Sequence, residues 1–569
     1  MPHFSRVLCA RSGVASSTEC DNSNVPDATT AARSPVLRRS FKKDFPAAVR
    51  GEGIYLWDSH NKKYLDFSGS AAVNFIGHGV QKISAAMAEQ AAKLEFVHTS
   101  QFTTPVAEAY AEELLDFAGE NFRGGAVYFT SGGSESIETA LKLARQYQVE
   151  IGQLRRYQIL SRKQSYHGST LGALSVSGNK RRREIYLPMI REFAHVGMPY
   201  CYRCAFDCTD SCRNCGQQYA AELESAIDAT SGEAAAFIFE PLSGATLGAV
   251  VPPPGYLQSV AEICRRHGVL LIADEVMTGM GRTGRNFAVE HWLGQSGNGK
   301  NNNGQKENEK SRNERNRNEK NKTKKNENTK NGKKKNPPAE NSSLFPDILV
   351  TAKGLSSGYA PLGAVIASKK VIDAIASGSG AFLHGFTYNA HPISLAAGRA
   401  VLAHLQSSNL IAAADSSVAG TAAAHLKQAL ESLRDPDFRD KDPRDKDPRD
   451  NDPRDNDPRS ADRRSAARRS SHASSVIGDV RGLGLLWAVE FVADQKSKRP
   501  FPPELNFAGL VASAAMKRGL LVYPMQGCAD GVSGDHLLLA PPAVITKEEI
   551  TWSVNQLRAA IDEATSSLR

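Results

Sequence analysis

Lys353 and Asp274 are the two side chains whose types and positions first indicate chemistry in this chain. Lys353 follows the apolar run 348–350, and Asp274 ends the longer apolar run 269–273. Both runs are typical of buried parallel strands, and open α/β sheets carry their active sites at the carboxyl ends of such strands. A lysine there suits Schiff-base chemistry, whereas a buried carboxylate requires a cationic partner. Taken alone, Lys353 is better explained as a solvated lysine in a glycine-rich turn, and Asp274 changes that interpretation.

Together the two residues match the needs of pyridoxal phosphate (PLP). This cofactor acts as an electron sink only while its ring nitrogen is protonated, which a nearby carboxylate ensures. A phosphate site is predicted upstream, where residues 127–130 predict a strand, 131–134 a tight turn and 135–147 a helix. Backbone N–H groups at a helix N-terminus bind anions. Capping of this helix by Ser131 or Ser134 explains the same pattern, and both interpretations can hold at once.

The chain contains six motifs in this order: Thr130-Ser-Gly-Gly-Ser-Glu-Ser, Ser165-Tyr-His-Gly-Ser-Thr, Phe239-Glu-Pro, Ala273-Asp-Glu-Val-Met-Thr-Gly, Thr351-Ala-Lys-Gly and His384-Gly-Phe-Thr-Tyr. With these motifs the chain resembles the class III aminotransferases, PLP-dependent enzymes of the aspartate aminotransferase fold type. The resemblance extends from about Tyr55 to about Thr551 once an insertion is discounted. Any one motif is a weak signal, whereas six in order are a specific one.

The resemblance implies that Lys353 and Asp274 are catalytic: Lys353 binds PLP and moves a proton, and Asp274 contacts the ring nitrogen. It also implies cofactor contacts at Gly133 and Ser134 (phosphate), Tyr166 (stacked on the ring), Val276 (opposite face), Glu240 (near the ring hydroxyl), His167, and Thr387, which reaches the cofactor phosphate of the partner subunit. The site is therefore expected to be shared across a homodimer. Tyr166 as a core residue and Thr387 as an ordinary loop threonine are the structural alternatives. No metal ligand belongs to the expected site.

The expected fold is α/β with two domains. A large domain, 101–384, is expected to carry a mostly parallel seven-stranded sheet with helices on both faces. A smaller α+β domain would combine residues 41–100, opened by a β-hairpin, with residues 385–569, after a disordered leader at 1–40. Two low-complexity segments, about 295–343 and about 434–475, cannot bury enough apolar surface to fold and are predicted to be disordered insertions.

The composition is globular, with 41% hydrophobic and 23% charged residues among 569. No apolar run is long enough to cross a bilayer, so we expect a soluble protein with no membrane partner. The net charge of +9 lies largely in the lysine-rich segment 295–343, which lacks aromatic interleaving, so no nucleic acid is expected as a partner. Arg6 and Arg11 precede any acidic residue, whereas Glu19 argues against a long transit peptide, so both a mitochondrial and a cytoplasmic location stay open.

Five of the nine cysteines are grouped in one segment and form two C-x-x-C pairs: Cys201, Cys204, Cys208, Cys212 and Cys215. Two such pairs can present thiolates to a metal ion. Seven residues separate the inner pair, fewer than in the usual zinc ribbon. A reduced, cysteine-rich surface loop is the favoured interpretation, with metal binding as the alternative.

The predicted reaction transfers an amino group from an amine donor to a keto-acid acceptor by a ping-pong mechanism. Several family branches that use α-amino acids or ornithine carry an arginine where this chain has Leu538, so a simple amine or ω-amino acid is the expected donor. Arg481 is a candidate contact for the keto acid, with a structural role favoured, and His78 is expected to be a loop hydrogen-bonder. An aminomutase or decarboxylase on the same scaffold is the alternative, followed by a non-catalytic binding protein that uses the lysine-rich segment.

Overall fold

The computed structural model describes residues 35–41, 44–206, 212, 214–293, 344–435 and 473–568. The low-complexity segment predicted at 295–343 lies outside the described residues. So do most of the predicted leader and most of the second low-complexity segment.

The described strands, in chain order, are β1 (Ala48–Glu52), β2 (Tyr55–Asp58), β3 (Lys63–Asp66), β4 (Ala126–Thr130), β5 (Gln158–Arg162), β6 (His195–Val196), β7 (Ala234–Phe239), β8 (Leu270–Asp274), β9 (Ile348–Thr351), β10 (Gly363–Ala367), β11 (Ile477–Leu483), β12 (Leu486–Phe491), β13 (Leu520–Leu521), β14 (Tyr523–Gln526) and β15 (Asp535–Leu539).

Apart from a distorted helical turn at Gly69–Ala72, the described α-helices are α1 (Gln81–Lys93), α2 (Pro105–Ala118), α3 (Gly133–Glu150), α4 (Leu171–Val176), α5 (Lys180–Arg183), α6 (Cys215–Ala229), α7 (Tyr256–His267), α8 (Glu290–Leu293), α9 (Lys369–Ser377), α10 (Pro392–Ser407), α11 (Leu410–Ala413), α12 (Ala422–Glu431), α13 (Ala473–Val476), α14 (Phe507–Lys517) and α15 (Lys547–Ser566). Short 3-10 helices lie at Glu120–Phe122, Glu184–Met189, Cys201–Arg203, Lys353–Leu355, Ser432–Arg434 and Pro503–Leu505.

The largest sheet has seven strands in the order β4-β10-β9-β8-β7-β5-β6. Strand β10 is antiparallel to both of its neighbours, and the other neighbouring pairs are parallel. This confirms the predicted α/β fold with a mostly parallel seven-stranded sheet. Every residue of β7, β8 and β9 is buried, as expected for apolar runs covered on both faces.

Helix α3 covers one face of this sheet because its apolar residues recur at helical spacing. Ile137, Ala140, Ala144 and Tyr147 are buried in one cluster, which also contains residues of the central strands. The sequence predicts this helix at 135–147, and the structure extends it by two residues at the N-terminus and three at the C-terminus. Packing of this apolar face against the sheet therefore stabilises the helix, in addition to the helix propensity of its residues.

Two four-stranded sheets lie outside the large one, in the orders β1-β2-β3-β13 and β11-β12-β15-β14. Strands β2 and β3 form the antiparallel hairpin that the sequence predicts. The N-terminal hairpin shares its sheet with a C-terminal strand, because β13 pairs in parallel with β3. Within the described ranges, no helix is both long enough and apolar enough to cross a bilayer.

Candidate active site

Three parallel strands end side by side, and each is followed or ended by a residue predicted for the site. Glu240 directly follows β7, Asp274 is the last residue of β8, and Lys353 comes two residues after β9. Because these strands are parallel neighbours, their carboxyl ends meet at one edge of the sheet. The three side chains line one cavity of about 470 Å³.

Lys353 has an unusual backbone and an unusual amine. Its φ of 44° lies in the left-handed region, which costs a residue with a side chain roughly 1–3 kcal/mol. Burial lowers the pKa of its amine to about 8, although the negative charges of Asp274 and Glu240 oppose that shift. The guanidinium groups of Arg282 and Arg182 lower the pKa further. The amine is therefore neutral over a pH range in which an exposed lysine is fully charged.

Asp274 is buried and held by two donors. His167 Nδ1 donates to one carboxylate oxygen over 2.7 Å, and the backbone N–H of Val276 donates to the other over 3.1 Å. The imidazole of His167 is itself fully buried. The two bonds fix the orientation of a carboxylate that lines the cavity, which is what a partner for a cationic ring nitrogen requires.

Glu240 is buried beside the aromatic residue of the site. One of its oxygens accepts a hydrogen bond from the Gly244 N–H at 2.9 Å, and the other accepts from the Tyr166 N–H at 3.4 Å. Burial raises the pKa of this carboxyl, so it keeps its proton to a higher pH than an exposed glutamate. A protonated carboxyl can donate a hydrogen bond to an anionic oxygen in the cavity.

The N-terminus of helix α3 opens into the same cavity, which is lined by residues 131–134. Its N-cap residue is Gly132, and no side chain caps it, so the capping alternative is wrong for Ser131 and Ser134. Ser134 Oγ instead accepts from the Ser169 N–H at 3.0 Å. Intrahelical bonding begins at the N–H of Ser136, which leaves the preceding N–H groups of this end for an anion.

Close packing favours glycine at position 133. A Cβ added to Gly133 would lie 3.1 Å from Val276 Cγ1 and 3.7 Å from the Cβ of Ala352. Both neighbours line the cavity, and Ala352 directly precedes Lys353. Gly133 therefore lets the start of the helix approach the strand ends that carry Asp274 and Lys353.

Tyr166 and Val276 both line the cavity, as expected for two residues that pack against a flat ring. Tyr166 is only partly buried, so the core alternative does not apply to it. The hydroxyl of Tyr166 is 2.9 Å from Ser169 Oγ, and its backbone N–H donates to Glu240. These two contacts hold the tyrosine at both ends. The Arg182 guanidinium lies 4.4 Å from the centre of the Tyr166 ring.

Thr387 is not brought to this cavity in the single chain, and neither is His78, which the sequence predicts to be a loop hydrogen-bonder. Thr387 is exposed and lies in the segment before α10, where the neighbouring Asn389 donates to the Tyr128 hydroxyl at 3.1 Å. His78 is 3.7 Å from the buried carboxylate of Asp66 and is not among the cavity residues. The position of Thr387 leaves its predicted role in a partner subunit as a prediction.

Sequence reasoning missed two arginines that act on Lys353. Arg282 is fully buried and donates to the backbone carbonyls of Ala540, Pro541 and Asn74. Arg182 belongs to helix α5, a run of four basic residues. The run itself is visible in the sequence, but it is equally typical of an exposed face, so only the fold places Arg182 beside Tyr166.

The family model for class III aminotransferases matches residues 39–297 and 339–441, which is more than half of the chain. The chain belongs to the class III aminotransferases. It is therefore an enzyme that transfers amino groups, and the resemblance stated from its motifs is confirmed.

Named relatives span almost the whole aminotransferase. The uncharacterized aminotransferase YodT of Bacillus subtilis is 34% identical over 532 residues, covering 93% of this chain and 98% of that protein. An (S)-enantioselective omega-transaminase from Thermomicrobium roseum has a TM-score of 0.69 and 31% identity, covering 92% and 93% of the two chains. An amine transaminase from an uncultivated Pseudomonas species, in a PLP-bound form, has a TM-score of 0.71 and 29% identity over 94% and 99%.

Class III aminotransferases depend on PLP, and the cavity of this aminotransferase fits that cofactor. The uncapped N-terminus of α3 offers N–H groups to a phosphate, and Asp274 offers an oriented carboxylate to a pyridinium nitrogen. Lys353 supplies an amine of lowered pKa between them. Anionic, cationic and carbonyl parts of one molecule thus each meet a matching group of the protein.

Proposed function

We propose that this aminotransferase moves the amino group of a simple amine or ω-amino acid to a keto acid by a ping-pong mechanism, with PLP bound at Lys353. The observation that carries the proposal is the placement of Lys353 and Asp274 at adjoining strand ends of one cavity, next to the uncapped start of α3. When bound, PLP accepts the electron pair that is left when the C–H bond beside the nitrogen breaks.

Asp274 and Lys353 divide the proton chemistry between them. The Asp274 carboxylate, oriented by His167 and Val276, holds a proton on the ring nitrogen of the cofactor. Once the substrate amine has displaced it from the cofactor, the neutral amine of Lys353 takes the proton from the substrate carbon and returns it at the cofactor carbon. A pKa of about 8 suits both steps, because general acid–base catalysis is most efficient when the pKa lies near the working pH.

The donor class is proposed from what surrounds the position where some relatives carry arginine. Leu538 lies in β15, fully buried in an apolar cluster with Leu242 and Ala245, and the latter two also line the cavity. No guanidinium is available from this strand to clamp a donor carboxylate. The names of the two structural relatives, an omega-transaminase and an amine transaminase, agree with a donor whose amine is remote from a carboxylate.

Arg481 is not proposed as the contact for the keto acid, because its charge is already used. Its guanidinium donates to Glu490 at 2.8 Å and to Asp479 at 3.1 Å, and its Nε donates to the carbonyl of Gly248 at 2.7 Å. This favours the structural role expected for Arg481.

Arg182 is proposed as the contact for the acceptor carboxylate. Two arginines lower the pKa of Lys353. The guanidinium of Arg282 already donates to backbone carbonyls, so it is not free to bind a substrate carboxylate. The guanidinium of Arg182 has no ion pair or hydrogen bond within the part of the chain that the structure describes. Arg182 does not line the cavity itself, but it lies against Tyr166, which does. Replacing it in Arg182→Gln should raise the KM for pyruvate about tenfold, with little change in the KM of the amine. The matched control is Arg181→Gln, since Arg181 is exposed and donates to Gln526.

A donor panel tests the proposed function. The purified enzyme with PLP and 2-oxobutyrate is assayed with β-alanine, 4-aminobutyrate and a benzylic amine, and with ornithine and α-alanine for comparison. Pyruvate is not the acceptor in this panel, because α-alanine and pyruvate would only exchange into each other. We expect higher kcat/KM for the first group, by up to roughly a hundredfold if a bidentate contact is what ornithine lacks. Preference for ornithine or α-alanine would overturn the donor class. Turnover that does not depend on the keto acid would overturn transamination in favour of an aminomutase or decarboxylase.

A further inference from the structure

Three thiols that are separated in sequence meet at the surface of the fold. The Sγ atoms of Cys201, Cys212 and Cys215 all lie within 4.8 Å of one another. Cys215 is buried, and the other two are partly buried. No disulfide joins any of the cysteines that the structure describes. Three thiols this close could hold a metal ion.

The two C-x-x-C pairs lie at the ends of short local elements. Cys201 begins the 3-10 helix Cys201–Arg203, and Cys204 directly follows it. Cys215 begins helix α6, and Cys212 has a φ of 41°, a left-handed conformation that turns the chain back just before that helix. Each pair therefore lies where a short turn ends, as in the knuckles that hold structural zinc.

Cys204 lies next to the three clustered thiols. The hydroxyl of Tyr219, one helical turn after Cys215, is 3.9 Å from Cys204 Sγ, and it also accepts the N–H of Ala205 at 3.0 Å. Tyr219 thus connects the turn that carries Cys204 to the helix that carries Cys215.

We propose that Cys201, Cys204, Cys212 and Cys215 bind one Zn²⁺ ion in a structural site. Thiolate ligands in a tetrahedral arrangement select zinc or an iron–sulfur cluster, and a Zn–S bond of about 2.3 Å separates neighbouring sulfurs by roughly 3.8 Å, within the span of this cluster. Each ligating thiol gives up its proton to the solvent when zinc binds, and no electron is transferred.

The proposed zinc site anchors a contact between the sheets. Arg203 closes the 3-10 helix that begins at Cys201, and it donates to Glu490 of β12 at 2.8 Å. Tyr200, directly before Cys201, donates to the same carboxylate. Glu490 in turn pairs with Arg481, which holds the carbonyls of the loop after β7. A metal that fixes the Cys201–Arg203 turn would therefore stabilise the loop that forms one wall of the cavity.

Metal analysis of the full-length protein, purified under reducing conditions, tests the proposal. We expect one zinc per chain, and loss of that zinc in Cys201→Ser, Cys204→Ser, Cys212→Ser and Cys215→Ser. Replacement of zinc by Co²⁺ should give thiolate-to-cobalt charge transfer and the visible bands of a tetrahedral site. Cys208→Ser and Cys264→Ala are the matched controls and should keep the zinc. The proposal gives no role to Cys208, which lies outside the described residues, or to Cys264, which is buried in α7.

A serine variant that does not fold would give no information about zinc binding. Removal of zinc from the wild-type protein tests the same site without a substitution. Release of the metal with a chelator should lower Tm, and added zinc should restore it. Wild-type protein without zinc that also gives no cobalt–thiolate band overturns the proposal, as does a disulfide between these cysteines in the reduced preparation. Zinc that is lost in Cys208→Ser and kept in Cys204→Ser overturns the assignment of the fourth ligand. An unchanged Tm after zinc removal overturns the structural role.

Discussion

Lys353 has a left-handed backbone conformation and a buried, desolvated amine. Both features depend on the packing of the residues around it. The residue lies between the end of β9 and the cavity wall, where neighbouring elements hold it in place. Asp274 is held by His167 and Val276 in the same way. Both functional groups are thus oriented before any ligand arrives, which reduces the reorganisation that binding would otherwise require.

Replacement of the lysine gives the most direct prediction at this scale. Lys353→Ala should lose the visible chromophore that borohydride reduces, and its transaminase activity should fall by at least about 10²-fold, because both the covalent link and the proton carrier are removed. Lys370→Ala is the control, since Lys370 is exposed and pairs with Asp347. Covalent PLP on a different lysine of the Lys353→Ala variant would show that the assignment is wrong.

The lowered pKa of Lys353 gives a pH dependence. Only a neutral amine attacks the aldehyde of PLP, so the rate of reconstitution of the cofactor-free enzyme should rise with pH and level off above about 8. An unperturbed lysine would continue the rise for about two further pH units.

Arg182→Gln removes a nearby positive charge, which raises the pKa of Lys353 and moves the midpoint of the rate–pH profile to higher pH. A stopped-flow absorbance series over pH 6–10 for both proteins measures the shift (about 25 °C, low salt). A midpoint that does not move would show that Arg182 does not act on the amine.

Among the elements, the parallel strands β7, β8 and β9 decide where the chemistry takes place, and a network of charges holds the surrounding loops to the outer sheet. Glu490 of β12 is fully buried and forms ion pairs with Arg203 and Arg481. The two cations lower the pKa of this carboxyl, although burial acts in the opposite direction. Its buried charge is therefore tolerated only because it is paired.

Glu490→Gln should destabilise the enzyme by roughly 3–5 kcal/mol, because it leaves the guanidinium of Arg203 without its counter-ion and that of Arg481 with Asp479 alone. The measurement is Tm by differential scanning calorimetry, with the reconstituted enzyme in both cases. Glu224→Gln serves as the control, since Glu224 pairs with Arg266 and His267 at the surface and its loss should leave Tm nearly unchanged. Equal changes in Tm for the two variants would contradict the account of a buried network.

For the whole molecule, the exposed position of Thr387 is the feature that a single chain does not explain. Thr387 is the fourth residue of the motif that begins at His384, yet it lies outside the cavity. The division into two domains and the homodimer both stay predictions. A second copy of the chain that brings Thr387 to the phosphate would account for the exposure.

Mixing two inactive variants tests this arrangement. Thr387→Ala and Lys353→Ala should each be impaired, whereas a hybrid dimer contains one site with both residues intact. After subunit exchange, activity should recover to about a quarter of the wild-type level, since about half of the dimers are hybrids with one working site each. Subunit exchange is monitored with differently tagged chains. Exchange without recovery of activity would exclude a site shared through Thr387.

Much of the active site follows from local sequence. The apolar runs before Asp274 and Lys353 predict buried strands, because a strand covered on both faces must be apolar throughout. The glycine turn before α3 likewise predicts an anion site, because N–H groups at a helix start have no partner within the helix. In each case the residues that determine the element are neighbours in the chain, so the pattern is complete in one window of sequence.

The tertiary structure decided the roles that depend on contacts between distant residues. Arg481 and Leu247 are 234 positions apart, and Tyr200 and Glu490 are 290 apart, yet each pair is hydrogen-bonded. The position of Arg182 against Tyr166 and the convergence of three thiols both depend on how separate elements pack. Periodicity and spacing report which face of an element is buried, but the partner of a charged or thiol side chain is set by the packing of whole elements. That packing is a property of the folded chain and is not encoded in any single stretch of it.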